Sequence, residues 1–187
     1  GDHRHLHSFP TRRSSDLIGN TKTHALIAAL DGEAVGFAEI GCGSYEVLGA
    51  SGYAEALRQV TDLALKDAGI SQAEIAGMGF GIAGYDWPSE YALHAEGIEA
   101  LGISAPYAFV NDVEIGIYAG TKAGWGIAVD AGTGNNVRGR DETGRTGRIT
   151  GNSVRFGEFG GGSELIWRAI TAVSYAWTQR EIGRAHV

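Results

Sequence analysis

Four polar or glycine-rich segments carry the residue types that could do chemistry in this chain. They are residues 19–23 (Gly-Asn-Thr-Lys-Thr), 81–86 (Gly-Ile-Ala-Gly-Tyr-Asp), 111–112 (Asn-Asp) and 130–136 (Asp-Ala-Gly-Thr-Gly-Asn-Asn). Backbone N–H groups and hydroxyls in the first segment are suited to cradling a phosphate, unless it is an ordinary surface turn. Glycines in the second segment let a ligand or another backbone segment come close. Each segment stands at a predicted strand end, where open α/β sheets bind ligands.

The third and fourth segments suggest a proton acceptor and an anion site. A carboxylate such as Asp112, at a strand end that faces a cleft, can take a proton from a substrate hydroxyl. Residues 157–163 (Gly-Glu-Phe-Gly-Gly-Gly-Ser) lead into a predicted helix. The N-terminal N–H groups and the dipole of such a helix favour phosphate oxygens. Structural roles remain open, because Asp86 can cap the next helix and Asn111 with Glu114 resembles a capping box.

Composition and charge argue against several classes of function. The 187 residues hold 22 acidic and 15 basic side chains, for a net charge of -7. That acid excess argues against a nucleic-acid surface, because phosphate backbones are bound by clustered Lys and Arg. Cys42 is the single cysteine, and His24 and His94 lack a second ligand at metal spacing, so we expect no internal disulfide and no metal site built from cysteine or histidine. No apolar run reaches the roughly 20 residues of a membrane span, and we expect a cytoplasmic protein.

The middle of the chain alternates predicted strands with predicted helices. Apolar runs and period-two alternation predict strands at 23–30, 34–40, 75–83, 107–110 and 125–130, and short ones at 136–140 and 148–150. Apolar residues at helical spacing predict helices at 53–68, 88–101, 111–119 and 163–177. This alternation implies an α/β fold with a largely parallel sheet covered on both faces. The last helix is expected to bury Ile166, Trp167, Ile170 and Trp177 in a core.

The order of the elements predicts two related lobes, and the two ends of the chain do not belong to either of them. One β-hairpin opens an α/β unit and a second hairpin opens near residue 125. We therefore predict a first lobe at 18–121, with its first strand truncated, and the beginning of a second lobe at 122–180. Residues 1–17 and 181–187 resemble translated sequencing-library adapters. We interpret both ends as non-native tails, which are excluded from fold reasoning.

The order of the motifs resembles the BadF/BadG/BcrA/BcrD-type ATPase family, which includes N-acetylglucosamine kinases and lies within the sugar kinase, actin and Hsp70 superfamily. Residues 19–23 match the end of its first phosphate motif, Asp-Gly-Gly-(Gly/Asn)-Thr-Lys-Thr, and residues 81–86 match Gly-(Ile/Leu)-Ala-Gly-x-Asp. Residues 111–112, 130–136 and 157–163 match its Asn-Asp pair, its second phosphate motif and a variant of Gly-Asp-Trp-Gly-Gly-Gly. The resemblance covers essentially all of residues 18–180.

The resemblance implies an actin-like ATPase fold, with a ribonuclease H-like lobe and the start of a second, similar lobe, that closes over ATP and Mg²⁺ for phosphoryl transfer. Asp112 is then the catalytic base that faces the acceptor hydroxyl. The residues implied to bind the cofactor are Gly19, Asn20, Thr21, Lys22, Thr23, Gly132, Thr133 and Gly134. The residues implied to bind the substrate are Ser44, Tyr45, Gly84, Asp86, Asn111, Asn135 and Glu158.

Three positions depart from the family's motifs. Leu17 stands where the first motif has a metal-associated Asp, and Asp16 lies one position earlier. Ser44 replaces an Asn in the acceptor loop at 41–49, and Glu158 replaces the usual Asp. Because the metal-associated Asp and the adenosine-binding part of the second lobe are missing, we expect no turnover from the chain as printed.

The resemblance favours an ATP-dependent sugar kinase of the N-acetylglucosamine or amino-sugar type, which transfers the γ-phosphate of ATP to a sugar hydroxyl. The alternative is an activator-type ATPase that couples ATP hydrolysis to electron transfer in a partner dehydratase. That branch holds an iron–sulfur cluster through cysteines, and this chain offers Cys42 alone. A sugar-sensing repressor would bring a DNA-binding segment and a cysteine-rich zinc motif, which the sequence does not show. We therefore expect a small-molecule sugar as partner, without nucleic acid or membrane, and a homodimer of the intact protein remains open.

Overall fold

The computed structural model describes residues 12–132, 134–152 and 156–178 of the chain. The chain divides into two compact units, Gly1–Ile115 and Gly116–Val187. The sequence predicted this division after residue 121, so the structure places it earlier. Packing explains the difference, because Gly116 lies against Ala128 of the second unit. A Cβ at Gly116 would be only 3.0 Å from the Cβ of Ala128.

The first unit is built on a five-stranded mixed sheet with the strand order β3-β2-β1-β4-β5. Its strands are β1 (Arg12–Ile18), β2 (Thr23–Ala29), β3 (Ala34–Ile40), β4 (Ile75–Ile82) and β5 (Tyr107–Asn111). The first three strands pair antiparallel, whereas β4 runs parallel to β1 and β5 runs parallel to β4. The helices α1 (Tyr45–Ala68) and α2 (Tyr91–Glu99) connect β3 to β4 and β4 to β5.

The local sequence explains the predicted hairpin and the end of α1. Gly32, at a φ of 94°, turns the chain between β2 and β3, and the Asp31 carboxylate accepts the N–H of Glu33 at 3.1 Å. Gly69 ends α1 in the left-handed region at a φ of 67° and donates its N–H back to the last turn. An Asp-Gly pair between two strands is typical of a hairpin turn, and a glycine directly after a helix is typical of a C-cap.

The start of α1 lies at Tyr45, eight positions before the predicted start at Tyr53. Ser44 caps the helix, since its side-chain oxygen accepts the N–H of Glu46 at 3.3 Å. Gly49 then interrupts the helix with a φ of 70° and a ψ of 177°. The first turns of α1 were not predicted, because apolar residues recur at helical spacing only after this interruption.

Strand β1 occupies the middle of the sheet, although its residues lie mostly within the segment interpreted as a foreign tail. Ser14, Asp16 and Ile18 are buried, whereas Leu17 is 40% exposed. The strand therefore turns two polar side chains toward the core and an apolar one toward solvent, which is why alternation did not reveal it. The truncation of the first strand and the foreign origin of residues 1–17 both stay predictions.

The core of the first unit lies between the sheet and α1. Its largest fully buried apolar side chains include Ile18, Ile27, Tyr53, Leu57, Val60, Ile82 and Ile98. The glycine at position 36 lets α1 approach β3, because a Cβ there would lie 2.6 Å from the carbonyl oxygen of Ala64. Strand β3 therefore packs closely against one face of α1.

The second unit contains a three-stranded antiparallel sheet and two helices. Its elements are α3 (Ile115–Gly120), whose first residue still belongs to the first unit, β6 (Gly126–Ala131), β7 (Asn135–Arg140), β8 (Thr146–Ile149) and α4 (Gly162–Trp177), with the strand order β6-β7-β8. No residue of α4 is buried, and its predicted core positions Ile166, Trp167, Ile170 and Trp177 are 59 to 88% exposed. The prediction of core burial was wrong for these residues, because apolar periodicity produces burial only where another layer covers the helix.

Within the residues that the structure describes, no helix is both long and apolar enough to cross a membrane.

Candidate functional site

The first unit brings three predicted segments to the edge of its sheet at which the parallel strands β1, β4 and β5 end. The ladders pair Ile18 of β1 with Ile82 of β4, and Ile82 with Asn111 of β5. The N–H of Ala83 donates to the carbonyl of Ile18 at 2.9 Å, which holds the segment after β4 beside the end of β1. The turn at 19–22, the loop at 83–86 and Asp112 therefore all leave the same edge, as expected for parallel strands.

Asn111 links two of these segments through its side-chain amide. Its Nδ2 lies 3.3 Å from the carbonyl oxygen of Tyr85 and 3.3 Å from Oδ1 of Asp86, and donates toward both. Its Oδ1 accepts the N–H of Val113 at 3.1 Å and caps the short 3-10 turn that follows. The capping role and the proximity to Asp86 thus occur together in one buried side chain.

Asp112 lies half-buried in this turn, directly after β5. Its Oδ1 accepts the N–H of Val113 at 3.0 Å. The absence of a side chain at Gly81 lets the turn pack onto β4, because a Cβ there would lie 3.3 Å from Cα of Asp112 and 2.0 Å from a methyl of Ile115. Gly81 therefore permits the close approach of another backbone segment.

The predicted phosphate turn at 19–23 is tightly packed. A Cβ at Gly19 would lie 2.7 Å from the carbonyl oxygen of Lys22, and the Gly19 carbonyl accepts the N–H of Gly43 at 3.1 Å. Thr23 is fully buried, and its hydroxyl has no hydrogen-bond partner among the described residues. The exposed residues Asn20 and Thr21 form the outer part of the turn.

Lys22 lies beside Glu39 of β3, with 3.4 Å between its Nζ and Oε1 of the carboxylate. The other carboxylate oxygen lies 2.8 Å from Nε2 of His24. These neighbours, the hydrogen bond from His24 first, lower the pKa of Glu39. Because the Lys22 side chain is well exposed, the pair leaves the ammonium accessible to solvent.

Tyr45, which the resemblance placed in the acceptor site, belongs to a group of aromatic rings around His94 of α2. The ring centroids of Tyr45, Tyr53 and Tyr85 lie 5.9, 5.3 and 5.4 Å from that of His94. His94 is fully buried, burial lowers its pKa, and neither ring nitrogen has a hydrogen-bond partner among the described residues. This neutral ring therefore packs the start of α1 and the loop at 83–86 against α2.

In the second unit, the predicted motifs at 130–136 and 157–163 are hydrogen-bonded to each other. The Gly162 N–H donates to the Gly132 carbonyl at 2.8 Å, and the Asn135 side-chain amide donates to the Phe159 carbonyl. A Cβ at Gly161 would lie only 2.6 Å from the carbonyl carbon of Gly134. The turn after β6 therefore packs against the N-terminus of α4, whereas Thr133 lies outside the described residues.

Glu158 is engaged with the backbone of its own unit. Its carboxylate accepts the N–H of Thr150 at 3.2 Å, the Thr150 hydroxyl at 3.4 Å and the N–H of Asn152. Glu164 likewise accepts the N–H of Gly160 at 2.6 Å, at the start of α4. These bonds order the glycine-rich segment and argue for a structural role of Glu158.

A sequence profile of the BadF/BadG/BcrA/BcrD ATPase family matches residues 18–181. The chain belongs to the BadF/BadG/BcrA/BcrD ATPase family. The resemblance inferred from the motifs is thereby confirmed, and with it the expectation of an ATPase-type α/β fold.

This member of the family is similar to several proteins with kinase names. An N-acetylmuramic acid/N-acetylglucosamine kinase of Clostridium acetobutylicum is 29% identical over 165 residues, which are 87% of this chain and 53% of the relative. Solved structures named as candidate N-acetylglucosamine kinases come from Chromobacterium violaceum and Porphyromonas gingivalis. The first has a TM-score of 0.71 at 21% identity, and the matched region covers 92% of this chain and 60% of the Chromobacterium chain. The second has a TM-score of 0.66 at 19% identity, and the matched region covers 89% of this chain and 57% of the Porphyromonas chain.

These likenesses confirm the fold class, an α/β structure of the actin-like ATPase kind. The family's name implies ATP use, and the chain spans between about half and three-fifths of the length of these proteins. The N-terminus of α4 and the turn packed against it offer backbone N–H groups of the kind that bind phosphate oxygens.

Mg²⁺ does not fit the residues present at the end of β1. It is bound mainly by carboxylates and phosphate oxygens, but Leu17 stands at the position of the motif's Asp. The neighbouring Asp16 faces α1, where it accepts the hydroxyls of Ser14 at 2.8 Å and Thr61 at 3.3 Å. The described part of the chain holds no group of three or more His, Cys, Asp or Glu side chains that could bind a metal ion. No chemical step is therefore assigned to a metal here.

Replacing Gly161 with alanine should lower the stability of the second unit by about 1 to 3 kcal/mol. The new Cβ would meet backbone atoms of Gly134 at 2.6 to 2.8 Å, and backbone cannot rotate away as a flexible side chain can. Urea unfolding measures the effect, with Gly147→Ala as control because a Cβ there meets nothing within 4 Å. Equal stability of the two variants would show that the turn and α4 do not pack in this way.

Proposed function

We propose that the protein containing these residues is an ATP-dependent kinase that phosphorylates a hydroxyl of an amino sugar, with Asp112 as the base. The γ-phosphoryl group passes from ATP to the acceptor oxygen, which forms a phosphate ester and ADP. The proton of the acceptor hydroxyl goes to the Asp112 carboxylate.

The position of Asp112 carries this proposal. It lies half-buried at the carboxyl end of β5, and a hydrogen bond from its own turn orients one carboxylate oxygen. Asn111 and Asp86 place further hydrogen-bonding atoms in the adjoining loop. A carboxylate held at a sheet end beside polar groups is suited to accept a proton from a hydroxyl that these groups orient.

We assign phosphate binding to two backbone segments. In the first unit these are the N–H groups of Asn20, Thr21 and Lys22, with the Lys22 ammonium as the nearby positive charge. In the second unit they are Gly132 and Gly134, with Thr133 assigned from the motif alone. The packing of the second turn against the N-terminus of α4 supports this assignment, because a helix dipole favours anions there.

The acceptor contacts differ in how well the structure supports them. Asp86 offers a carboxylate at the sheet edge, so we assign it direct contact with the sugar, and we assign the buried Asn111 to holding Asp86 in place. We assign Ser44 and Tyr45 to the supporting wall, because one caps α1 and the other packs against His94. Asn135 and Glu158 remain proposals from the motifs, and the bonds of Glu158 to residues 150–152 favour an ordering role.

Kinase activity is tested on a chain of the relatives' length that contains these residues. It is incubated with ATP and N-acetylglucosamine, N-acetylmuramic acid, glucosamine or glucose. Formation of a sugar phosphate and ADP in equal amounts is expected for at least one amino sugar. ATP hydrolysis without a sugar phosphate, accelerated by a dehydratase partner, would contradict the proposal and favour the activator-type ATPase.

A further inference from the structure

Glu46, to which the sequence analysis gave no role within the acceptor loop at 41–49, lies over Gly84 at the sheet edge of the first unit. A Cβ added to Gly84 would lie 3.0 Å from Cδ of Glu46, 3.1 Å from Cγ and 3.2 Å from Oε2. Gly84 also has a φ of 81°, which glycine adopts readily. The space that glycine leaves at position 84 is therefore filled by the Glu46 side chain, where the sequence analysis expected a ligand.

The Glu46 carboxylate is an uncommitted charge within this group. Its backbone N–H is held by the Ser44 hydroxyl, which fixes the first turn of α1. Among the described residues its side chain has no hydrogen-bond or ion-pair partner, and the residue is exposed. The carboxylate of Asp86, by contrast, is met by Asn111 Nδ2 at 3.3 Å. An exposed carboxylate held beside a sheet-edge loop is available to a cationic or hydroxyl group of a ligand.

A favourable helix dipole is the ordinary reason for an acid in a first turn. That role requires a negative charge near the N-terminus, but it does not require the side chain to lie across a neighbouring loop. The contact with Gly84 places the carboxylate between the start of α1 and the loop at 83–86, two segments assigned to the acceptor.

We infer that Glu46 determines acceptor specificity by pairing with a protonated amine of the sugar. This inference rests on the proposed function for its choice of ligand class, an amino sugar whose nitrogen is not acylated. An ammonium offers several N–H donors and a positive charge to the carboxylate, whereas an acetamido group offers one neutral donor and adds bulk. A hydroxyl at the same carbon is neutral and pairs more weakly.

The test compares glucosamine, N-acetylglucosamine and glucose, which differ at one carbon. Binding to the chain as printed is measured by NMR titration at about pH 6, where the sugar amine is protonated. Glucosamine should bind about fivefold more tightly than glucose, and the preference should shrink as salt is added. Glu46→Gln should abolish the preference, whereas Glu55→Gln, which removes an exposed carboxylate elsewhere on α1, should keep it.

The outcomes separate this inference from the proposed function. Equal affinity for the three sugars, no detectable glucosamine binding, or a preference that survives Glu46→Gln each overturn the role of Glu46. A longer chain that phosphorylates N-acetylglucosamine without amine preference overturns the role of Glu46 and keeps the kinase assignment. An amine preference lost in Glu46→Gln, in a protein that transfers no phosphate, rejects the kinase assignment and supports amine recognition by Glu46.

Discussion

Replacing Asp16 with asparagine should raise the free energy of unfolding at neutral pH and leave it nearly unchanged in acid. Burial raises the pKa of Asp16 from 3.8 to about 7, although hydrogen bonds from Ser14 and Thr61 act in the opposite direction. The folded state therefore keeps a proton that the unfolded state loses between these two values. The stability that this group contributes is full below the unfolded pKa and falls as the pH rises through the folded pKa. A shift of that size corresponds to about 4 kcal/mol, which sets the order of the gain near pH 8.

Urea unfolding of the first unit at several pH values between about 4 and 8 measures this effect. The native chain should lose stability as the pH rises, and Asp16→Asn should lose much less. Asp62→Asn, on the exposed side of α1, serves as control and should change stability by no more than about 0.5 kcal/mol. Parallel pH profiles for the native chain and Asp16→Asn would show that this carboxyl does not titrate in the core.

Replacing Asp112 with asparagine should reduce phosphoryl transfer by a factor of about 100 to 10,000 in a chain of the relatives' length. The amide oxygen can still accept the Val113 N–H, so the turn after β5 should keep its structure. The variant loses the group to which we assign the acceptor proton. Nucleotide binding should be unchanged, because we assign the phosphates to backbone N–H groups of other segments.

Steady-state kinetics and nucleotide titration together test this prediction. A loss in kcat with unchanged ATP affinity is the expected pattern, since a base acts in the transition state. Asp62→Asn again provides the matched change from carboxylate to amide outside the proposed site. Transfer within tenfold of the native rate in Asp112→Asn would reject Asp112 as the base.

The sequence predicted the elements whose local signals and tertiary environment agree. Strand β3 has the predicted bounds, and Gly69 ends α1 as a helix-capping glycine should. The parallel order of β4 and β5 follows from the alternation of strands with helices, and it placed Asn111 and Asp112 at the edge shared with residues 83–86. These predictions needed only periodicity and turn chemistry.

Other features depended on packing that a single sequence does not reveal. Strand β1 was not predicted, because its polar residues Ser14 and Asp16 face the core, where the usual alternation of a strand places apolar residues. Glu46 was missed because the break at Gly49 hides the first turns of α1, and because its contact with Gly84 joins residues far apart in the chain. The exposure of Trp167 and Trp177 shows the converse, since apolar spacing does not reveal whether another layer is present.

The central position of β1 has a consequence for the order of folding. The meander β1-β2-β3 closes through short turns, whereas β4 must find β1 across the whole of α1, at a much larger loop-closure cost. We therefore expect the parallel half of the sheet to assemble onto the meander, through a strand, β1, that carries the buried carboxyl group of Asp16. A more apolar β1 should speed the docking of β4, which makes this strand the natural place to adjust the refolding rate.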